Sequence, residues 1–185
     1  MAKLNIIKRG QVLANAGEHG PVWRITEGLF RLERVGMDGL SLVHLGLPGD
    51  LLGVEALCVE PYAYTITAIT TGQAERVAAD RELTRFGIVA KAYLQQQRRT
   101  HDMMKLRGGP VAERLAHFLK LLARDANGCE RELDRRALPV LKEVASILDV
   151  ATETVCRELN AFLPARVYSR AKRSAWVGDA FAMAA

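Results

Sequence analysis

Glu153 and Arg157 stand four residues apart in the stretch VATETVCREL, which runs from Val150 to Leu159. On a helix that spacing brings both to one face, with Thr152 and Cys156, also four apart, beside them. Arg presents a planar fork of donors that matches O6 and N7 of guanine. Glu accepts from the N4 amine of cytosine or orients the Arg, so the pair has the chemistry to read base edges. On an ordinary surface helix the same pair is an i,i+4 ion pair contributing roughly a few tenths of a kcal/mol. The surroundings weigh toward the first reading. Arg157, Arg166, Arg170, Lys172 and Arg173 fall close together and are opposed locally by Glu158 alone. Such a cluster suits phosphate contacts, which add salt-dependent affinity without sequence information, although a solvated charge run has the same composition.

Other chemistries find little support. Three cysteines, Cys58, Cys129 and Cys156, are odd in number and lack C-x-x-C spacing, so neither a disulfide framework nor a zinc ribbon is encoded. Cys58 and Cys129 read as small apolar or incidental residues. A cupin-like metal enzyme needs clustered histidines, and no H-x-H occurs, so no enzymatic activity is expected. His44 reads as a packed or edge histidine on the same strand face as Leu40 and Leu42, not as a haem or metal ligand. No apolar run approaches the roughly 18 residues that span a bilayer, and MAKLNIIKRG lacks the apolar core of a secretory signal. A soluble cytoplasmic protein is expected. The net charge of +5 permits a polyanionic partner without requiring one.

The elements that must position VATETVCREL fall into two styles. From about residue 10 to 80, short apolar runs alternate with turn signals such as AGEHGP, GMDG and LPGD, the pattern of an all-β sandwich or barrel. LFRLERV and LSLVHL read as a hairpin with one buried and one wet face. From about Asp80 helix formers take over. The stretch ELTRFGIVAKAYLQQQRRTHDMMKLR predicts a long helix whose middle, QQQRRTHD, is either solvated or set against another polar surface. Gly108, Gly109 and Pro110 break it, and Pro110 suits the first position of the next helix. That helix carries Val111, Leu115, Phe118, Leu119 and Leu122 on one face and is expected to stop at Asn127 and Gly128. LPVLKEVASILDV gives a short helix with Leu141, Val144, Ala145 and Leu148 inward. TETVCRELNAFL follows, with Val155, Leu159 and Phe162 or Leu163 inward, and ends at Pro164. Two short helices three or four residues apart are a helix-turn-helix by spacing. VYSRAKRSAWV then reads as two β-like pieces around a basic turn, a candidate wing.

Three stretches, in this order and spacing, resemble the bacterial regulators related to the cyclic AMP receptor protein and the fumarate and nitrate reduction regulator, the CRP/FNR family. LPGDLLGVEAL at 47–57 is similar to the family's glycine-rich turn between β-roll strands. VAERLAHFL at 111–119 is similar to the helix that opens its DNA-binding half. ATETVCREL is similar to its recognition helix. The resemblance spans roughly residues 10–165. It implies an α+β chain with a jelly-roll-like β-roll sensor domain over 1–82, a dimerisation helix over 83–108 and a winged helix-turn-helix over 109–185. It implies a homodimer on a palindromic promoter, with RNA polymerase as a further partner. Glu153 and Arg157 match the base-reading pair, Thr152 and Cys156 lie at flanking contact positions, and Arg166, Arg170, Lys172 and Arg173 serve as phosphate contacts.

The chain also departs from the family. Its nucleotide-binding members carry a Gly-Glu pair and a following Arg that hold ribose and phosphate. In GVEALCVEPYAYTITA Glu55 is displaced by one, and no Arg lies between Gly53 and Ala68. Cyclic AMP is therefore not expected as ligand. The cysteine cluster of the iron–sulfur branch is absent too. No cofactor is expected, and the effector is left unnamed. Asp149 stands where the family has Gly in the helix-turn-helix turn, and Ala151 stands where it has a Ser or Thr cap, a loss on the order of 1 kcal/mol. With the atypical wing, these departures leave one alternative function: a degenerate family member that works through protein contacts.

Overall fold

The computed structural model describes residues 4–36, 39–130, 133 and 138–162. The turn signals deliver eight strands: β1 Leu4–Ile7, β2 Val12–Ala14, β3 Trp23–Glu27, β4 Phe30–Gly36, β5 Gly39–Gly46, β6 Leu51–Leu52, β7 Thr65–Ala68 and β8 Gly72–Arg76. They form two antiparallel four-stranded sheets, ordered β1-β8-β3-β6 and β2-β7-β4-β5. Between the sheets Ile25, Phe30, Leu32, Ile66 and Ala74 build one core. The β3–β4 turn fits only because two glycines meet: a Cβ on Gly28 (φ 93°) would lie 2.6 Å from the Gly72 Cα. Any side chain there forces the sheets apart.

The second face of the β4–β5 hairpin is covered around Arg31 and Glu33, while the tip, with Val35 and Leu40, is exposed. Glu33 is buried, and Arg31 bridges it at 3.1 Å and Glu143 of the helical half at 3.2 Å. The outer side of the roll, through Leu29, Leu42, Leu45, Leu47 and Ile69, shares one apolar core with four helices: α1 Glu82–Arg107, α2 Val111–Leu122, α3 Leu141–Leu148 and α4 Thr152–Phe162. A polar residue on that face therefore meets protein where the alternation of the sequence had suggested water. The helices share this core through Met103, Leu106, Leu115, Phe118, Val144, Leu148, Val155 and Leu159. Phe162, expected inward, is 43% exposed, and Leu163 lies outside the described residues.

Helix α2 begins at Val111, with Pro110 as its cap, and ends at Leu122, short of Asn127 and Gly128. Asp125 takes the chain away from the helix: its Oδ1 accepts from the amides of Asn127 at 2.8 Å and Cys129 at 2.9 Å. Such local side-chain bonds compete with helix continuation. Cys58 and Cys129 are both exposed, against the general preference of free cysteine for burial.

The polar middle of α1 faces a polar surface, the second of the two expected outcomes. In the LPGD turn Gly49 takes φ 93°, and Asp50 Oδ2 accepts from the Leu47 amide at 2.9 Å. Asp50 is 4% exposed. Arg99 reaches it from α1 in bidentate fashion, Nε to Oδ2 at 2.8 Å and Nη2 to Oδ1 at 2.9 Å, and its Nη1 donates to Asp102 at 2.7 Å. Asp102 Oδ1 in turn lies 3.0 Å from His117 Nε2 on α2. One turn earlier, Gln95 accepts from the Leu51 amide and donates to the Leu51 carbonyl, at 2.7 and 3.0 Å. Burial works against the Arg99 charge, but the bonds and charges of Asp50 and Asp102 outweigh it and hold the guanidinium above its ordinary value. Replacing Arg99 with Met leaves Asp50 buried without a counter-charge, which costs about 3–5 kcal/mol. The thermal midpoint should fall by more than roughly 6 °C, since each kcal/mol moves a chain of this size by about 2–4 °C. An unchanged midpoint would show that the pair carries no net stability.

Candidate nucleic-acid interface and inter-element cavity

Helix α3 stops because Asp149 enters the left-handed region, φ 53° and ψ 56°, with its amide and that of Val150 both closing on the Ala145 carbonyl. Glycine is favoured at such a position, and Asp is among the side chains that tolerate it best. Three residues later α4 is under way: Val155 N–H donates to the Ala151 carbonyl at 3.2 Å, which makes Ala151 the cap, and its methyl has nothing to offer the free amides.

Val155 and Leu159 pin α4 to the helical core. Their spacing turns Glu153, Arg157 and Asn160 to the exposed side and leaves Thr152 and Cys156 half-buried. The alternative reading, a Glu153–Arg157 ion pair, is not what the structure shows. Arg157, 75% exposed at its side chain, instead lies 3.4 Å from Oε1 of the adjacent Glu158, and Glu153 makes no ion pair among the described residues. Both groups thus stand on one exposed face without a strong partner. Arg166, Arg170, Lys172 and Arg173 lie outside the described residues, as does the segment read as a wing.

A cavity of about 400 Å³ opens between the roll and α1, walled by Leu32, Leu51, Leu52, Val54, Val89 and Ala92. His44, Glu55, Cys58, Tyr64, Gln95 and Arg99 supply its polar lining. The sequence had placed His44 on the face of Leu40 and Leu42. A bulge overturns this: Leu32 pairs with His44 but Glu33 pairs with Leu42, so Val43 is the extra residue and the alternation reverses. Leu42 joins the core under the helices, and His44 turns to the Leu32 side and the cavity. Its Nδ1 is buried without a hydrogen-bond partner. No group of three His, Cys, Asp or Glu placed to hold a metal ion occurs among the described residues, and no helix among them is long and apolar enough to cross a membrane.

Neither Arg99 nor Asp50 stood out as a site residue in the sequence, although two signals were present. One was a long helix with no apolar residue across QQQRRTHD; the other was a lone acid among leucines in LPGDLL.

A roll of two antiparallel sheets, a long helix packed along it and a smaller group of helices is an architecture shared with solved transcriptional regulators of the CRP/FNR family. No family model and no curated protein matches the chain. Solved structures do. A CRP-family transcriptional regulator from Thermus thermophilus is 27% identical over 85% of this chain and 83% of its own, with TM-score 0.63. FixK2 from Bradyrhizobium japonicum is 22% identical over 88% and 84%, with TM-score 0.62. The c-di-GMP-responsive global regulator CLP of Xanthomonas campestris, at 13% identity over 87% and 86% and TM-score 0.53, shares the fold alone. The kinship with CRP/FNR transcription regulators that the sequence suggested is borne out.

Burial, with the Arg99 charge adding to it, holds the His44 imidazole below its ordinary range. Such a histidine contributes stability that is complete above the unfolded pKa of about 6.5. It is lost as the pH falls toward the folded pKa, because the unfolded chain takes up the proton first. Acidification from about pH 7.5 to about pH 5.5 should therefore lower the melting midpoint of the wild type more than that of His44→Leu. Equal falls would mean that the imidazole titrates alike folded and unfolded.

Proposed function

We propose that the chain is a sequence-specific, DNA-binding transcription regulator that acts as a homodimer, its roll sensing an effector other than a cyclic nucleotide. The observation that carries the reading is the exposed face of α4, where Glu153 and Arg157 stand without a strong intramolecular partner on the second of two short helices. Side chains so exposed, with only the weak surface contact of Arg157 to Glu158 to give up, can turn to base edges at little cost. Thr152 and Cys156 flank it, and Arg166, Arg170, Lys172 and Arg173 are proposed as phosphate contacts.

The exposed face of α1 supports the dimer. Leu83, Phe86, Ala90, Tyr93, Gln97, Thr100 and Met104 recur at alternating three- and four-residue spacing and are all exposed, Leu83 at 84% and Phe86 at 72%. That is the spacing of a coiled-coil seam, and a second copy of the same helix is the partner it fits. The opposite face, through Ile88, Ala92, Gln95, Arg99, Asp102 and Leu106, is taken by the roll and the other helices. Two recognition helices related by the dimer axis would enter successive major grooves about 34 Å apart. A cyclic nucleotide is disfavoured because no arginine lies between Gly53 and Ala68 and Arg99 is already held by two carboxylates.

Fragments selected from the source genome supply the operator for a gel-shift assay. Arg157→Ala should weaken specific binding by about 1–3 kcal/mol while leaving the melting midpoint unchanged. Wild-type affinity in that variant would remove α4 as the reading helix. Phe86→Glu should convert dimers to monomers in sedimentation velocity and abolish binding to the two-half-site operator. A variant that stays dimeric would place the seam elsewhere.

A further inference from the structure

We propose that the cavity between the roll and α1 takes an uncharged, mainly apolar small molecule that offers one hydrogen-bonding group to His44. This rests on reading the cavity as the seat of the effector and names the ligand class, with His44 as the residue that selects it. The walls are aliphatic on both sides: Leu32, Leu51 and Leu52 from the strands, Val89 and Ala92 from α1. Most of the polar lining is already spent. Arg99 gives Nε and both terminal nitrogens to Asp50 and Asp102. Gln95 spends both ends of its amide on the Leu51 backbone, and Glu55 Oε1 accepts from the Ala63 amide at 3.3 Å.

Neither sign of charge gains from this wall. An anion would meet the Glu55 carboxylate and would have to take Arg99 from two carboxylates that hold it at 2.7–2.9 Å. A cation would face Arg99. Cys58, Tyr64, Tyr93 and Gln96 also line the cavity, but the buried polar atom without a partner is His44 Nδ1, on the cavity side of the sheet because of the bulge at Val43. A buried polar atom in that condition is costly unless something bonds it, and a ligand in the cavity is placed to do so. The His44 ring, already disfavoured as a cation by burial, stays neutral and pairs with a neutral partner. Apolar walls with one or two convergent polar groups are the usual makeup of a small-molecule site.

Two dyes that share one skeleton test the class. N-phenyl-1-naphthylamine is neutral and carries a single N–H donor; 8-anilino-1-naphthalenesulfonate adds a sulfonate. Fluorescence titration of the wild-type protein should give saturable binding of the neutral dye, at one per protomer, at least about tenfold tighter than the sulfonate. Ala92→Trp, which fills the cavity from α1, should abolish it. His44→Leu should weaken it roughly fivefold to tenfold, the worth of one hydrogen bond between neutral groups. Equal or tighter binding of the sulfonate, or neutral-dye binding that survives Ala92→Trp, overturns the proposal. Unchanged affinity in His44→Leu removes His44 from it. The dye pair on wild-type protein decides the charge preference even where a variant fails to fold. No DNA is present in the titration: a chain that takes up the neutral dye but binds no operator keeps the cavity and loses the regulator, and the reverse pattern does the opposite.

Discussion

The contact between Asp50 and Arg99 is the constraint on which the rest of the arrangement turns. A carboxylate placed by a Pro-Gly turn among leucines is costly to bury alone, and the guanidinium that offsets it arrives from a helix 49 residues further along the chain. The bidentate geometry fixes both the distance of α1 from the roll and its rotation about its own axis. Asp102 and His117 extend the contact to α2, so the roll, the long helix and the first helix of the C-terminal half are joined through four side chains. Arg31, between Glu33 and Glu143, ties the roll to α3 on the other side.

Once α1 is fixed in this rotation, its faces have separate duties. The face through Ile88, Gln95, Arg99 and Leu106 is committed within the chain, and the one through Leu83, Phe86, Tyr93 and Met104 is left exposed. Between them, Val89, Ala92 and Tyr93 form one wall of the cavity. Tyr93 belongs both to that wall and to the exposed face. Any molecule in the cavity would therefore touch a helix whose rotation also sets the position of α2.

Much of this was legible in the residues. Turn signals marked the strands of the roll, and the inward residues Leu115, Phe118, Val144, Leu148, Val155 and Leu159 followed from helical spacing. The outward placement of Glu153, Arg157 and Asn160 followed from the same periodicity, because that face is decided locally by where Val155 and Leu159 must go, whereas Thr152 and Cys156, read outward with them, are half-buried. The errors share one cause. Alternation in β4 says which residues oppose one another, not what covers the second face, so Glu33 was read as wet. Regular alternation in β5 cannot reveal one extra residue at Val43, and alternation alone puts His44 on the face of Leu42. A helical pattern through LLARDANG does not show that Asp125 caps a turn of its own.

Residue order alone settled the β-then-α layout, the position of the two short helices and the chemistry offered by Glu153 and Arg157. These depend on short-range periodicity and on side-chain types, which neighbours in the chain suffice to fix. The cavity, the burial of Asp50, the partner chosen by Arg99 and the inward turn of His44 arose only when distant segments met. Each depends on a contact across tens of residues, or on a bulge whose register the facing strand dictates, and no local pattern carries that information.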